Sequence, residues 1–448
     1  MPARGPELGA NGTTMSLITP TNTPVRRIAY VMSRFPKLTE TFILYEMVEL
    51  ERLGMAVEVF PLVRVHESVV HPEAPAFVAR AHFSRPTDRR VLAAQLYWLA
   101  RRPLAYLRCW RDALWGNRRS RKFLIRACAV VPQAAWVARR VQELGIEHVH
   151  AHYATHPALA AYVVHMLTGT PYSITAHAHD LYVERPMLAE KVRAASFVVA
   201  ISEYNRRLIA AVCGPEAEAK TVVIHCGADL TLFSPPAERA RGERFTIICV
   251  ASLEEYKGQR YLIDACARLT RAGVPFRCLL AGEGADRPAL EAQIRRLGLQ
   301  DRVVLLGRQP RDRIAALLGE ADVVAMPSIT ARSGKKEGIP VALMEALALE
   351  LPVVATAISG IPELVEDGVT GLLVPEKDAP ALAAALLRIY HDPALAARLG
   401  RAGRQKVLAE FDLSANARAL AGLLARDWRP RLSPGAAVLV GTPTERVR

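Results

Sequence analysis

The chain of 448 residues contains no uninterrupted run of eighteen apolar residues. That excludes an ordinary membrane-spanning helix. The nearest stretch, 123–137, is broken by Arg126 and Pro132. Its seven cysteines form no C-x-x-C pair and are odd in number. This argues against a disulfide framework or a zinc site, and for reduced core thiols in a cytoplasmic protein. Residues 1–24 lack the basic start and apolar centre of a signal peptide and read as a disordered leader, with Met15 as an alternative start. No G-x-G-x-x-G follows the first strand pattern, which argues against a dinucleotide-binding dehydrogenase. Acids are scarce in one long stretch: between Arg85 and Arg126, twelve basic residues meet only Asp88 and Asp112. Net charge is +14, so an anionic partner is expected. Leu96, Trp98, Trp110, Trp115 and Phe123 interleave with these cations. The pattern fits an anionic membrane surface or, equally, a solvated helical face with its tryptophans turned inward. No nucleic-acid motif is visible, and no nucleic acid is expected.

What is present is a doubly repeated α/β pattern in a chain too long for one core. Strands are predicted at 27–33, 57–63, 148–153, 172–178, 197–202 and 221–227, then at 245–252, 276–281, 302–306, 321–327, 352–355 and 371–374. A helix at 40–53 follows the first strand, with Thr39 as its cap. Residues 235–243 are polar and proline-rich, as a linker should be. The expected division is a leader 1–24, a first unit 25–232, a second unit 233–410, a helix 411–428 crossing back to the first unit, and a disordered tail 429–448.

Two regions carry candidate chemistry. Strand alternation puts His148, His150 and His152 on one face, and His177, His179 and Asp180 follow the next strand. Three readings compete: a metal site, buried hydrogen-bonded histidines, or His177 at the carboxyl end of a parallel strand, where open α/β sheets bind ligands. The second region runs from Ser333 to Val374. There Glu337 and Gly338 precede a helix carrying Pro340, Val341, Met344 and Glu345. A helix N-terminus after a glycine loop favours an anion. Glu345 is then either a grip for a ribose diol or a solvated helix glutamate.

The second region resembles the retaining glycosyltransferases of family 4, whose signature E-G-x-P-x-x-x-x-E-A stands here as Glu337, Gly338, Pro340, Glu345 and Ala346. Pro352-Val353-Val354-Ala355, Gly360 to Val365 and Asp367 to Gly371 continue it. The amino end, S-R-F-P-K-L-T-E-T-F-I, resembles the exopolysaccharide enzymes of the colanic-acid and amylovoran type within that family. The resemblance implies a GT-B fold, two Rossmann-like units facing a cleft, and sugar transfer with retained α configuration from a nucleotide diphosphate. It implies no metal and no cofactor beyond the nucleotide sugar. It places Lys257 and Gly258, with Ser252, Gly282 and Glu283, at the donor diphosphate and nucleotide. Gly338, Ile339, Pro340 and Val341 would meet phosphate and sugar, Glu345 the ribose, and Glu337 and His177 the reacting centre. His177 ends the match Thr175-Ala176-His177. Lys37, Thr39, Glu40 and Asp180 are acceptor candidates. Two departures stand out. Ser252 replaces a phosphate-facing arginine, with Ser252 itself or Lys335 as the substitute. Glu350 replaces a helix-ending glycine, at a cost on the order of 1 kcal/mol in a left-handed cap. The expected acceptor is a lipid-linked or free oligosaccharide at the cytoplasmic membrane face. The alternatives are an epimerase or phosphorylase on the same fold, or a non-enzymatic sugar-binding regulator.

Overall fold

The computed structural model describes residues 26–37, 40–67, 71–235 and 242–426. The expected leader, Thr39, Trp428, the tail and most of the expected linker lie outside the described residues. Most of the short strands are apolar on both faces and pair as buried parallel strands, while His148–His152 carries three buried histidines on one face. In the first sheet these are β1 (Arg27–Phe35), β2 (Ala56–Arg64), β3 (His148–His152), β4 (Tyr172–Ala176), β5 (Phe197–Ala200) and β6 (Thr221–Val223). Their order is β2-β1-β3-β4-β5-β6, all parallel. The second sheet holds β7 (Phe245–Val250), β8 (Phe276–Ala281), β9 (Val303–Gly307), β10 (Val323–Met326), β11 (Val353–Thr356) and β12 (Leu372–Val374). Its order is β12-β11-β10-β7-β8-β9, again parallel. This is the GT-B architecture. Every predicted strand is present, with ends moved by a residue or a few.

Each order reverses at one point, between β1 and β3 in the first sheet and between β7 and β10 in the second. Such switch points leave crevices beyond the carboxyl ends of the strands. One apolar cluster fills the second unit, and two cover the faces of the first sheet. The Leu413–Arg426 helix adds Leu420 and Leu424 to the cluster containing Ile43 and Met47 of the Thr41–Arg52 helix. The chain thus ends its described part against the first unit.

Local chemistry accounts for several details. Pro340, expected in the first turn of its helix, is instead the N-cap of Val341–Ala348, at φ −66° and ψ 127°. Proline's fixed φ suits both positions, and ψ decides between them. Glu350 does occupy a left-handed position, φ 58°. Gly258 (φ 68°) is required for space as well as conformation, because a Cβ there would lie 1.9 Å from the Pro327 carbonyl oxygen. No helix among the described residues is long and apolar enough to cross a membrane.

Candidate active site

A cleft of about 910 Å³ runs between the carboxyl ends of the two sheets. His177, Asp180, Lys37, Glu40, Ser252, Lys257, Gly282, Glu283, Glu337, Gly338, Ile339, Pro340, Val341 and Glu345 all border it. Among the described site candidates, only Gly258 is set back behind this lining. It supports the loop that carries Lys257.

The floor comes from the second unit. The β7 loop delivers Ser252 and Lys257, and Gly282 (φ 153°) lets the β8 end approach the Ala251 carbonyl, where a Cβ would lie 1.9 Å away. Lys257 forms an ion pair with Glu337, each side chain only 13% exposed. Burial opposes the lysine's charge, but the Glu337 carboxylate, with Tyr256 and Cys249 beside it, raises the Lys257 pKa overall. The first N–H groups of a helix have no partner within it. In Val341–Ala348 the Leu343 N–H bonds the Pro340 carbonyl at 3.1 Å, and Val341 and Ala342 at the helix start border the cleft. One face of this helix also carries Glu345, which is buried. Burial pushes its carboxyl up to about 7, and nearby Arg311 only partly offsets this. Of the two sequence readings of Glu345, the solvated one is therefore corrected: its backbone neighbours Met344 and Ala346 are core, and it shares their burial.

The roof comes from the first unit. His177 is buried at the end of β4, its ring 4.7 Å from those of Phe42 and of Tyr153. Asp180 accepts from the N–H of Ala154 at 2.6 Å and from the N–H of His177 at 3.1 Å. It is thus a partner of His177 through the backbone, and these bonds pin the β3 and β4 ends together. Lys191 is buried beneath and donates to the carbonyls of Ala154 and Thr155. Lys37 and Glu40 pair with each other at 2.6 Å at the cleft edge. His179 is exposed and stands apart from the buried histidines. Among the described residues, the group able to hold a metal is instead Glu46, His150 and His152, whose ligand atoms lie within 4.8 Å of one another.

Three cross-cleft contacts come from residues to which sequence reasoning gave no role. Arg311 pairs with Asp229 at 3.1 Å and lies 3.9 Å above the Tyr45 ring. Arg308 pairs with Glu67. Glu363 accepts from the N–H groups of Glu203 and Tyr204, both at 2.8 Å. An arginine run directly after β9 was the available signal for the first two. Lys335, the suggested substitute cation, borders the cleft, paired with Glu254 and 4.1 Å from the Tyr256 ring centre.

Residues 233–406 match the family described as "Glycosyl transferases group 1". The chain is 32% identical over 435 residues to the Salmonella typhimurium protein named "Putative colanic acid biosynthesis glycosyltransferase WcaL", covering 89% of this chain and 99% of that one. It is also 32% identical over 419 residues to the amylovoran biosynthesis glycosyltransferase AmsK of Erwinia amylovora, with the same coverage. Among solved structures, Anabaena HepE in complex with UDP aligns with a TM-score of 0.66 at 19% identity, over 90% of this chain and all of that one. Sucrose-phosphate synthase from Thermosynechococcus elongatus aligns at 0.65 and 21% identity, over 90% of this chain and 98% of that one.

Proposed function

Because the chain belongs to the group 1 glycosyltransferase family, we propose that it moves a sugar from a nucleotide diphosphate to a saccharide hydroxyl during exopolysaccharide assembly. The observation that carries this reading is the cleft floor. The N-terminus of Val341–Ala348, the cation Lys257 and the buried carboxyl of Glu345 converge there. A helix N-terminus and a lysine suit a diphosphate. A carboxylate out of bulk water suits a ribose diol. HepE, of similar fold, was crystallised with UDP and with UDP-glucose, which supports a nucleotide sugar. The relatives' names support exopolysaccharide as the product.

The finer reading is a retaining, metal-independent transfer of the family 4 type. The leaving diphosphate is stabilised by Lys257 and the helix end, supplying positive potential without a divalent ion. Glu337 orients the donor sugar, and His177 borders it from the opposite wall. The acceptor hydroxyl attacks from the front face, and no covalent glycosyl-enzyme forms.

The acceptor is lipid-linked and the enzyme docks on the inner membrane face. Three helices support this: Arg89–Arg101, Pro103–Asn117 and Arg121–Glu143. Each buries one stripe, such as Val91, Ala94 and Trp98, and exposes another. The outer stripes hold Leu92, Leu96 and Leu99, then Leu104 and Leu107. Arg101, Arg102, Arg108, Arg111, Arg118 and Arg119 are exposed among them. None of the three helices has an acid in its first turn, and two begin on arginine. At Arg89 the N-cap Asp88 offsets this charge, while at Arg121 it opposes the helix dipole and is compensated if an anionic surface lies there.

A thermal-shift screen of UDP-, GDP- and ADP-sugars tests the donor. Ligand at 100 times Kd stabilises by about 2.7 kcal/mol, so one base series should raise the melting temperature by several degrees. No shift with any of them sinks the reading. Donor turnover without acceptor would favour an epimerase or phosphorylase. Binding without transfer to any membrane extract would favour a regulator.

A further inference from the structure

The geometry points to Glu46 as a positioning residue that acts on His177 through His152, fixing which ring nitrogen of His177 carries the proton. It rests on the reading that His177 borders the transferred sugar.

The face of the first sheet turned toward the Thr41–Arg52 helix is polar at its centre. His150 bonds Ser173 Oγ through Nδ1 at 2.7 Å and Thr175 Oγ1 through Nε2 at 2.9 Å, so both its nitrogens are committed within the sheet. His152 points the other way along the face. Its Nε2 lies 3.0 Å from Glu46 Oε1, and its Nδ1 lies 3.1 Å from His177 Nε2. Tyr30 donates to the same Glu46 Oε1 at 2.6 Å. An unbroken chain of hydrogen bonds therefore runs from Tyr30 to the cleft wall.

Each link holds one proton, and the direction follows from its end. Glu46 Oε1 accepts the hydrogen bond that the Tyr30 hydroxyl donates. It accepts from His152 Nε2–H as well. Both rings are buried, His152 1% and His177 5% exposed, and a buried imidazole favours its neutral form, which carries a single proton. His152 Nδ1 is then bare and accepts from His177 Nε2–H. That leaves His177 Nδ1 bare. Among the described residues no group bonds this nitrogen, and His177 borders the cleft. A bare Nδ1 accepts from a sugar hydroxyl; the opposite tautomer would donate instead. Phe42 and Tyr153 flank the ring and hold its plane.

The test is a long-range proton–nitrogen spectrum of the full chain labelled with 15N-histidine. The His177 signals are assigned by their loss in His177→Phe. The parent should show His177 protonated on Nε2 and bare on Nδ1. Glu46→Leu removes the terminal acceptor and His152→Phe removes the link. In either, the two His177 nitrogen shifts should move toward the averaged values of mixed tautomers. A parent protonated on Nδ1, or a pattern unchanged in a folded variant of either kind, overturns the proposal. The parent spectrum decides even where neither variant folds. Full sugar transfer to membrane extract by His177→Phe would sink the placement of His177 at the sugar, and the parent spectrum would still judge the relay.

Discussion

Lys257 and Glu337 stand 80 residues apart in the chain and close an ion pair on the cleft floor, at the position the donor diphosphate is read to take. Removing one partner of a buried pair costs about 3–5 kcal/mol, because the other charge is stranded. Lys257→Met should therefore lose stability. It should also weaken donor binding about tenfold or more, the worth of a charged hydrogen bond. The double variant Lys257→Met/Glu337→Met should regain much of the stability and none of the affinity. Melting curves and donor titrations check both. Restored affinity in the double variant would remove Lys257 from the diphosphate site.

Glu345 gives a pH signature. Its carboxyl ionises at about 7, above the ordinary 4.5, because it is buried. A raised pKa means the empty folded state binds the proton more tightly than the unfolded chain. This contribution to stability is fully present below about 4.5 and is lost as pH rises through about 7. A ribose diol donates to the ionised form, so donor binding should release a proton near and below pH 7. Calorimetry in buffers of different ionisation enthalpy reads this directly. Glu345→Gln should abolish the release, and Glu345→Ala should raise KM more than it lowers kcat. Proton uptake, or unchanged donor affinity in Glu345→Ala, contradicts the ribose assignment.

Activity should persist in excess EDTA, since Lys257 and the helix end supply the charge a divalent ion would bring. Complete loss with chelator, restored by Mn²⁺ or Zn²⁺, would instead turn attention to Glu46, His150 and His152, where three ligand atoms already converge.

The sheets were legible because parallel strands buried on both faces are continuous apolar runs, such as Ile247-Ile248-Cys249 and Val353-Val354-Ala355. The signature helix was legible for the same reason: Leu343, Met344 and Leu347 mark its core face. Pairings across the cleft were not. Nothing local joins Arg308 to Glu67 or Glu363 to the Glu203 N–H. Glu46 escaped notice because, in sequence, it is one polar residue in an amphipathic helix. Only the fold turns it toward a histidine strand 106 residues away. The Asp180 role was half visible: its spacing from His177 was plain, but its carboxylate meets backbone N–H groups, which sequence does not mark.

The membrane proposal separates two forces that sequence left merged. Trp98 is core, 1% exposed, and donates its indole N–H to the Ala135 carbonyl at 2.7 Å, so it has no part in lipid contact. Trp115 is 67% exposed and Leu104 83%. Each cation near an anionic surface adds on the order of 1 kcal/mol, and this attraction fades over a Debye length of about 10 Å at 0.1 M salt. Apolar insertion does not fade with salt. Sedimentation with phosphatidylserine vesicles should therefore show a steep salt-sensitive part and a residual salt-resistant part. Changing Arg108, Arg111, Arg118 and Arg119 to Gln should remove the first and leave donor affinity intact. Changing Leu96, Leu104 and Trp115 to Ser should remove the second. If both variants sediment like the parent at low salt, the three helices present a solvated face and the cleft meets its acceptor without a membrane.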